Sequence, residues 1–303
     1  MDRLRALHYF HKLASTLSFS ATADHFQVPS SSVSRRIKDL ELALGATLFD
    51  RTTRSVRLTD LGKLYLREVS SALQTIEMAD ELVGAQSKSP TGMLRITAMP
   101  GYGEQFVLPA LDKLRRQYND INFDVNFTDE VISLASNDVD IAIRAASILP
   151  DLVVARRLDD HDFVLVASPE YIAAHGAPAV SSELNERNVF MYRTPRGVLD
   201  WLVQKDGNWK AVELKPKYIT NHGRSLLDSV RAGDGIAFLP GWGVASDIES
   251  GRMVKIELED GPLSIRVGAE ASLYLLYHPP KFGLQKIRVT VDFLVNELGR
   301  DSN

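Results

Sequence analysis

The stretch SFSATADHFQVPSSSVSRRIKDLELALG, which runs from Ser18 to Gly45, decides the fold of the N-terminal part of the chain. Ser18 is placed to cap a short helix, because a serine hydroxyl accepts a hydrogen bond from a free N–H group of the first helical turn. Pro29 cannot continue that helix, and Ser30 or Ser31 can cap the helix that follows. The stretch therefore predicts two helices separated by a tight break.

The helix after the break has one apolar face. Its apolar residues recur at spacings of three and four, and Gly45 is a typical residue just past a helix end. Another helix with the same spacing is predicted from Leu4 to Ala14. Three short helices with a break before the third are typical of a helix-turn-helix domain. The apolar positions of the third helix are Val33, Ile37, Leu40 and Leu44.

The residues after Gly45 predict a wing and a long helix. The segment from Leu48 to Leu58 has the Thr, Val and Arg content of a two-stranded hairpin. Thr59 is placed to cap a long helix that carries one apolar stripe. Because a small head cannot cover a stripe of this length, we expect the stripe to pair with its copy in a second subunit. The stripe comprises Leu61, Tyr65, Val69, Ala72, Ile76, Ala79 and Val83.

Composition excludes several classes of protein. With 303 residues, 45% of them hydrophobic, the chain can form two or three domains. Because it contains no Cys, disulfides, thiolate catalysis and Cys-ligated metal centres are excluded. The N-terminus carries charges where a signal peptide is apolar, and no apolar run has the length of a membrane span. We expect a cytoplasmic protein with no membrane contact.

Charge is distributed unevenly along the chain. Residues 1–62 contain nine basic and six acidic residues, a balance of +3, so a net charge of -4 leaves -7 for the remainder. Four of the basic residues form two groups, Arg35 with Arg36 and Arg51 with Arg54. A basic head on an acidic body is typical of a protein that presents one face to nucleic acid.

Beyond a small polar linker at 87–92, strand-like and helical runs alternate, which favours a mostly parallel sheet covered by helices. Strands are predicted at Met93–Ala98, Asn122–Phe127, Val139–Arg144, Leu152–Leu158, Phe163–Ala167, Val189–Arg193, Lys217–Thr220, Ile236–Leu239 and Ser272–Tyr277. Helices are predicted at Phe106–Tyr118, Val131–Ser136, Gly223–Ala232 and the C-terminus.

Many residues of the chain match one protein family in register. In the head the match runs through Phe10, Ala14, Ser18–Ala21, Ala23, Val28, Ser31, Val33–Arg35, Ile37, Leu40–Glu41, Leu44–Gly45, Leu48–Phe49, Arg51, Thr53–Arg54, Leu58–Thr59 and Gly62. In the body it runs through Gly92–Ile96, Pro109, Leu111, Asp140–Arg144, Ala167–Tyr171 and Gly233–Pro240. On these residues the chain resembles the LysR-type transcriptional regulators of bacteria over nearly its whole length.

The resemblance implies an α/β protein with an N-terminal all-α winged helix-turn-helix, a long linker helix and a two-lobed α/β effector-binding domain of periplasmic-binding-protein type. The expected boundaries are 1–58 for the DNA-binding domain, 59–87 for the linker or dimerisation helix, 88–92 for a hinge and 93–303 for the effector-binding domain. Lobe one would comprise about 93–163 and 271–303, and lobe two about 164–270.

The expected DNA contacts lie at the start of the third helix and on the wing, where side chains can enter a groove or contact phosphates. They are Ser30, Ser31, Ser32, Ser34, Arg35, Arg36, Lys38, Arg51, Arg54 and Arg57. One departure concerns Ser30, because the family often has Gln there. A serine is too short to replace a bidentate amide, so the operator is expected to differ at that base pair.

Expected effector contacts lie at turns before helices and at strand ends, because free N–H groups at two helix N-termini favour a carboxylate. The resemblance implies that these positions line a cleft between lobes. They are Met99, Pro100, Gly101, Tyr102, Arg144, Arg193, Thr194, Asn221 and His222. Polar and apolar residues together suit an acid with an apolar body, although aromatic acids, amino acids, sugar acids and quinone-like ligands all remain open.

The function expected from these features is that of a ligand-responsive regulator of transcription, with no enzymatic activity, cofactor or metal. The resemblance also implies a homodimer or a tetramer made of two dimers on double-stranded promoter DNA, and RNA polymerase is a further candidate partner. Two alternatives stay open: an enzyme or small-molecule binding protein with a fused head, and an architectural DNA-binding protein.

Overall fold

The computed structural model describes residues 2–51, 56–84, 89–130, 134, 139–268 and 270–299. The chain forms two compact units whose boundary along the sequence lies between residues 88 and 89. The first unit, the head, is helical with one small hairpin, and the second unit, the body, is built of helices and sheets.

The head begins with the three short helices that the sequence predicted: α1 (Arg3–Thr16), α2 (Phe19–Phe26) and α3 (Ser30–Leu44). The Ser18 hydroxyl accepts a hydrogen bond from the N–H of Ala21 and caps α2, which confirms the predicted cap. Gly45 ends α3 with φ of 63°, a left-handed conformation that glycine adopts without strain. The helices share one core, formed by Ala6, Tyr9, Phe10, Leu13, Ala23, Val33, Ile37 and Leu40.

The start of α3 differs from the prediction that Ser30 or Ser31 caps it. Pro29 holds the N-cap position, no side chain caps this end, and Ser30 is already inside the helix. Pro29 is extended, with φ of -60° and ψ of 143°, and its carbonyl accepts the N–H of Ser32 at 2.9 Å. The proline sets the entry angle of the chain, so the serine hydroxyls are not needed as caps.

The wing is present as the antiparallel strands β1 (Phe49–Arg51) and β2 (Val56–Leu58). Its first strand is fixed to α3 by Glu41, whose carboxylate accepts the N–H groups of Leu48 at 2.8 Å and Phe49 at 3.1 Å. The turn of the wing, residues 52–55, lies outside the described residues.

The long helix is α4 (Asp60–Gly84), and the Thr59 hydroxyl caps it by accepting the N–H of Gly62 at 2.9 Å. Its predicted stripe is divided between two environments. Val69 is buried in the core of the head and Tyr65 is partly buried against it, so at these two positions the head itself covers the stripe that we expected to pair with a second subunit. Leu61 and Ile76 are 57% and 38% exposed, and for them pairing with a second copy stays a prediction. The Val83 side chain lies outside the described part of the chain.

The body contains the remaining helices and strands. In chain order they are β3 (Gly92–Ala98), α5 (Pro100–Tyr102), a π-helical turn (Gly103–Val107), α6 (Leu108–Gln117), β4 (Ile121–Phe127), β5 (Ile141–Ala146), β6 (Val154–Asp160), β7 (Phe163–Ala167), α7 (Pro169–His175), a 3-10 helix (Ser181–Glu186), β8 (Val189–Thr194), β9 (Gly197–Val198), β10 (Leu202–Lys205), β11 (Asn208–Ala211), β12 (Tyr218–Thr220), α8 (Gly223–Arg231), β13 (Ile236–Pro240), α9 (Gly241–Glu249), β14 (Val254–Lys255), β15 (Leu263–Ser264), β16 (Ser272–Tyr277), a 3-10 helix (Pro279–Gly283) and α10 (Gln285–Leu298).

Two sheets define the lobes of the body. Lobe one has the strand order β4-β3-β5-β16-β6, and lobe two has the order β12-β8-β13-β7-β14, with β9 paired to β8. A small sheet, β11-β10-β15, adjoins lobe two. The chain crosses between lobes twice, first between β6 and β7 and again between β15 and β16. Phe163 begins β7, so it belongs to lobe two and not to lobe one as expected.

The sheets are mixed, so the prediction of a mostly parallel sheet was wrong. β3 pairs in parallel with β4 and β5, and β8 pairs in parallel with β12 and β13. However, β16, which follows the second crossing, inserts antiparallel between β5 and β6. β7, which follows the first crossing, pairs antiparallel with β13 and β14. A strand that arrives from the other lobe need not follow the direction that a helical crossover imposes. The predicted helix at Val131–Ser136 lies outside the described residues except for Leu134.

Candidate nucleic-acid interface and ligand cleft

The polar side of α3 faces solvent because its other side forms the core of the head. Val33, Ile37 and Leu40 are completely buried. Ser31, Arg35 and Lys38 follow one another at spacings of four and three, which places them on one exposed face of the helix. We call this surface, with Ser30 and the half-buried Ser32, Ser34 and Arg36, the α3 face. It presents hydroxyls and cationic groups at the N-terminal half of a helix whose first N–H groups no side chain caps.

Arg51 has a structural contact that the sequence did not suggest. Its guanidinium donates to the Glu41 carboxylate at 2.5 Å and lies 5.1 Å from the ring centre of Phe19. Because Glu41 also holds the wing, Arg51 belongs to the joint between α3 and β1. Arg57 is exposed on β2, and Arg54 lies outside the described residues. Contact of these arginines with DNA stays a prediction.

In the body, lobe one carries a cation at the carboxyl ends of β3 and β5. The Arg144 guanidinium donates to the Thr97 hydroxyl at 2.7 Å and to the Ile143 carbonyl at 2.9 Å, which fixes its position. Burial lowers the pKa of Arg144, and the neighbouring Asp129 carboxylate opposes that shift. A half-buried guanidinium at the carboxyl ends of parallel strands is suited to bind an anion.

Lobe two contacts Asp129, a neighbour of this cation, through Tyr192 near the end of β8. The Tyr192 hydroxyl donates a hydrogen bond of 2.5 Å to Oδ2 of Asp129, which follows β4 in lobe one. Burial and the hydrogen bond to Asp129 raise the pKa of Tyr192, so its hydroxyl remains a donor at neutral pH. The contact joins the lobes directly, and we call the space beside it the interlobe cleft.

Aromatic residues form a second contact between the lobes. Trp242, on α9 of lobe two, meets the ring of Tyr102 edge-on at 5.2 Å and that of Phe106 at 6.1 Å. Its indole N–H donates to Nδ1 of His161 at 3.1 Å, at the first crossing between lobes. Burial, with a smaller contribution from Arg266, lowers the pKa of His161 to about 3, so the imidazole is neutral and can accept this bond.

The structure brings most of the expected effector residues to this region. Met99, Pro100 and Gly101 lie directly after β3, and a Cβ on Gly101 would approach Trp242 to 3.3 Å. Tyr102 is buried, with 2% of its surface exposed, so it supports the cleft and does not line it openly. On lobe two, α8 contacts α5, and a Cβ on Gly223 would lie 3.8 Å from Tyr192.

Four expected effector residues are more peripheral. Asn221 and His222 are exposed just before α8, and Nδ1 of His222 lies 2.7 Å from the Ser225 hydroxyl. Arg193 is exposed and follows Tyr192 in a strand, so the two side chains leave opposite faces of the sheet. Thr194 donates its hydroxyl to the Gly197 carbonyl within the β8–β9 hairpin. Their contact with a ligand stays a prediction.

Sequence reasoning missed Asp129, Tyr192 and Trp242. Each lies near the end of a strand or shortly after it: Asp129 comes two residues after β4, Tyr192 lies near the end of β8, and Trp242 comes two residues after β13. Polar and aromatic residues at the carboxyl ends of strands could have been selected on that ground. Which strand ends meet, however, depends on the strand order, and that order was not predicted.

Two protein-family models match the chain, one in the head and one in the body. The model described as "Bacterial regulatory helix-turn-helix protein, lysR family" matches residues 4–63, and the model described as "LysR substrate binding domain" matches residues 87–299. The chain belongs to the LysR-type transcriptional regulators. The α3 face and the wing lie within the matched helix-turn-helix region, and the interlobe cleft lies within the matched substrate-binding region.

Similar transcriptional regulators match over nearly their whole length. The HTH-type transcriptional regulator DmlR of Escherichia coli (strain K12) is 31% identical over 96% of this chain and 93% of its own. CrgA of Neisseria meningitidis serogroup C (strain 8013) is 30% identical over 96% of each chain. A solved structure of CrgA, titled as a LysR-type transcriptional regulator from Neisseria meningitidis, covers 98% of this chain and 99% of its own, with a TM-score of 0.61 and 30% identity.

The expectations of family and fold class are thereby confirmed for this LysR-type regulator. It has a helical head with a helix-turn-helix and a two-lobed α/β body, as the resemblance implied. Within the described ranges, no helix combines the length and apolar character needed to cross a membrane.

Proposed function

We propose that this LysR-type regulator binds promoter DNA as a symmetric oligomer through the α3 face and the wing, and that a small carboxylate in the interlobe cleft switches it. The observation that carries the DNA-binding part is the exposure of Ser31, Arg35 and Lys38 on one side of α3, opposite a fully buried stripe. A helix held this way can enter a major groove, where arginine bonds guanine and serine bonds phosphate or base.

The switching part is supported by the two lobes and by the contacts that join them. Lobes connected by two crossings can change their relative placement, and one of the two interlobe contacts, that of Tyr192 with Asp129, involves a carboxylate that interacts electrostatically with Arg144. A ligand that binds one placement more tightly than another shifts the equilibrium between them. In a symmetric oligomer that shift would change how paired heads are presented to two half-sites.

Capture of genomic DNA tests the proposal. The purified full chain is mixed with sheared genomic DNA from its source at near-physiological salt, and the retained fragments are sequenced. We expect discrete peaks near promoters that Arg35→Ala abolishes. The matched control is Arg116→Ala, which removes the same charge from an exposed position on α6 of the body and should leave the peaks unchanged.

A uniform background from the wild-type protein, or peaks that survive Arg35→Ala, would overturn the DNA-binding part of the proposal. Turnover of a substrate by a protein that captures no promoter would instead favour the alternative of an enzyme with a fused head. The relatives named above are transcriptional regulators, which supports the first reading.

A further inference from the structure

We propose that Asp129 is a built-in competitor of the ligand: its carboxylate holds the Tyr192 hydroxyl across the cleft, and an entering carboxylate takes over that hydrogen bond and separates Asp129 from Tyr192. The inference rests on the proposed function and names the ligand class and the way in which the site responds. It concerns Asp129, Tyr192 and Arg144, of which only Arg144 was expected from the sequence.

The first support is the position of Asp129. It follows β4, an edge strand of lobe one, and its carboxylate interacts electrostatically with Arg144, where it opposes the lowering of the Arg144 pKa by burial. The same carboxylate accepts the Tyr192 hydroxyl of lobe two at 2.5 Å. One side-chain carboxylate therefore lies next to a cation and a phenol donor, which together form the kind of site that a ligand carboxylate needs.

The second support is that Arg144 is fixed independently of Asp129. Thr97 and the Ile143 carbonyl accept its N–H groups at 2.7 and 2.9 Å, and the Glu130 carbonyl is a weaker partner at 3.4 Å. Removal of Asp129 would therefore leave the cation in place. The Tyr192 hydroxyl is likewise held by its own strand, with the N-terminus of α8 beside it.

The third support is the apolar surface beside the polar group. Met99 and Gly101 follow β3 on the same edge of lobe one as Thr97, and Gly101 lies against Trp242. An acid with a small apolar body would place its carboxylate at Tyr192 and Arg144 and its body toward this surface. A neutral amide has no net charge to attract Arg144, and it would have to displace the charged Asp129 carboxylate from the Tyr192 hydroxyl.

The exchange keeps one carboxylate as the acceptor of the Tyr192 hydroxyl but changes which parts of the molecule that hydrogen bond links. Before it, the acceptor of the Tyr192 hydroxyl is covalently part of lobe one. After it, the acceptor is a free ligand, and Asp129, which is half-buried, can turn toward water. In the occupied site the hydrogen bond between Tyr192 and Asp129 is therefore absent, and the two lobes can change their relative orientation. Competition by Asp129 also weakens the apparent affinity for the ligand.

The experiment measures binding of three acids and their amides to the full chain at pH 7.5 by calorimetry. The probes are acetate, succinate and benzoate, with acetamide, succinamide and benzamide as neutral counterparts. We expect at least one acid, and none of the amides, to bind the wild-type protein. Asp129→Asn should bind that acid about tenfold more tightly, because the amide holds Tyr192 less strongly and does not repel an anion. Asp124→Asn, an identical change at an exposed position of β4, should stay within twofold of wild type.

A double-mutant cycle separates competition from a general structural effect. If Asp129 competes for the Tyr192 hydroxyl, its replacement in a Tyr192→Phe background should gain less than threefold, because the contested donor is gone. The inference would be overturned if the gain in affinity were equal in both backgrounds, or if Asp129→Asn bound the acid no more tightly than wild type. It would also be overturned if none of the three acids bound the wild-type protein.

Failure of this inference can be distinguished from failure of the proposed function. Retention of the promoter fragments by Asp129→Asn, together with their loss from Arg35→Ala, would leave the DNA-binding part of the proposal intact whatever the acids do. Retention of the same fragments by Arg35→Ala would contradict that part while the result with the acids still decides the role of Asp129.

Discussion

The head and the body reach their candidate sites by different routes. In the head, one buried stripe on a single helix fixes which side chains of α3 face outward, and the whole face comes from residues 30–38. In the body, the cleft combines residues from Thr97 to Trp242, which four strands and three helices bring together. A local site follows from periodicity, whereas an assembled site depends on strand order and on contacts far apart in sequence.

The largest effect is expected at a long-range contact of the body. Lys281 and Asp140 are both buried, and the ammonium donates to the Val139 carbonyl at 2.8 Å and to the Asp140 carboxylate at 3.2 Å. Lys281→Ala leaves a buried carboxylate without its cation, which should lower the free energy of unfolding by about 3–5 kcal/mol. Urea unfolding followed by tryptophan fluorescence checks this, because all three tryptophans lie in the body.

The control is Arg115→Ala, which breaks an exposed pair with Asp112 on α6. A surface pair contributes about 1 kcal/mol or less, so this variant should unfold close to wild type. Equal losses in the two variants would show that burial does not distinguish these pairs, and the contrast between local and long-range contacts would fail.

The next effect concerns the local site of the head. Arg35→Ala should weaken binding to a recovered promoter fragment by about 1–3 kcal/mol for each half-site, because a base contact by arginine is lost. Fluorescence anisotropy with a labelled fragment measures this, and Arg116→Ala should bind like wild type. Affinity for an acid in the cleft should stay unchanged in both variants. A parallel loss of acid affinity in Arg35→Ala would show that the two regions do not act as separate sites.

A smaller effect is expected from pH at the crossing between lobes. His161 has a pKa of about 3 in the folded protein and an ordinary value of 6.5, so the unfolded chain binds the proton more readily. The contribution of neutral His161 to the free energy of unfolding is therefore complete above pH 6.5 and is lost as the pH falls toward 3. Between pH 7.5 and 5 this residue should cost about 2 kcal/mol of stability. His161→Gln keeps an acceptor for Trp242 but does not titrate, so its loss of stability over the same pH range should be about 2 kcal/mol smaller than that of wild type. If the stability of the variant and of wild type depended on pH in the same way, His161 would be excluded as the cause.

The smallest effect compares two serines of the head. Ser18 caps α2, and Ser18→Ala should cost about 1 kcal/mol of stability, measured by circular dichroism. Ser30 lies inside α3 and caps nothing, so Ser30→Ala should change stability by less than about 0.5 kcal/mol. A larger loss for Ser30→Ala would restore the capping role that the sequence suggested.

The contrast explains how much of this molecule its sequence predicts. The presence of the head helices, the caps at Ser18 and Thr59, the glycine at the end of α3 and the exposed α3 residues follow from local spacing and from the chemistry of single residues. The start of α3, which Pro29 sets, did not follow in this way. Most strands of the body were also located, since apolar runs between turns are local features. The resemblance to a family added the two-lobed organisation.

What could not be predicted depends on partners far along the chain. Arg51 was expected on DNA, yet its guanidinium contacts Glu41 and Phe19, which no periodicity indicates. At the end of β8, Arg193 was predicted from the sequence, but its neighbour Tyr192 is the residue that contacts the other lobe. Which of two successive residues faces the other lobe depends on the register of the strand. The antiparallel entry of β16 between β5 and β6 likewise depends on the chain returning from lobe two.

The most direct test is to footprint the full chain on a recovered promoter fragment, with Arg35→Ala alongside. For a symmetric oligomer that reads DNA through α3, we expect two protected half-sites related by a two-fold axis and separated by about 10–10.5 base pairs or a multiple of that spacing. Arg35→Ala should remove both together. A single protected site, or protection that persists in Arg35→Ala, would contradict recognition of DNA by paired α3 faces.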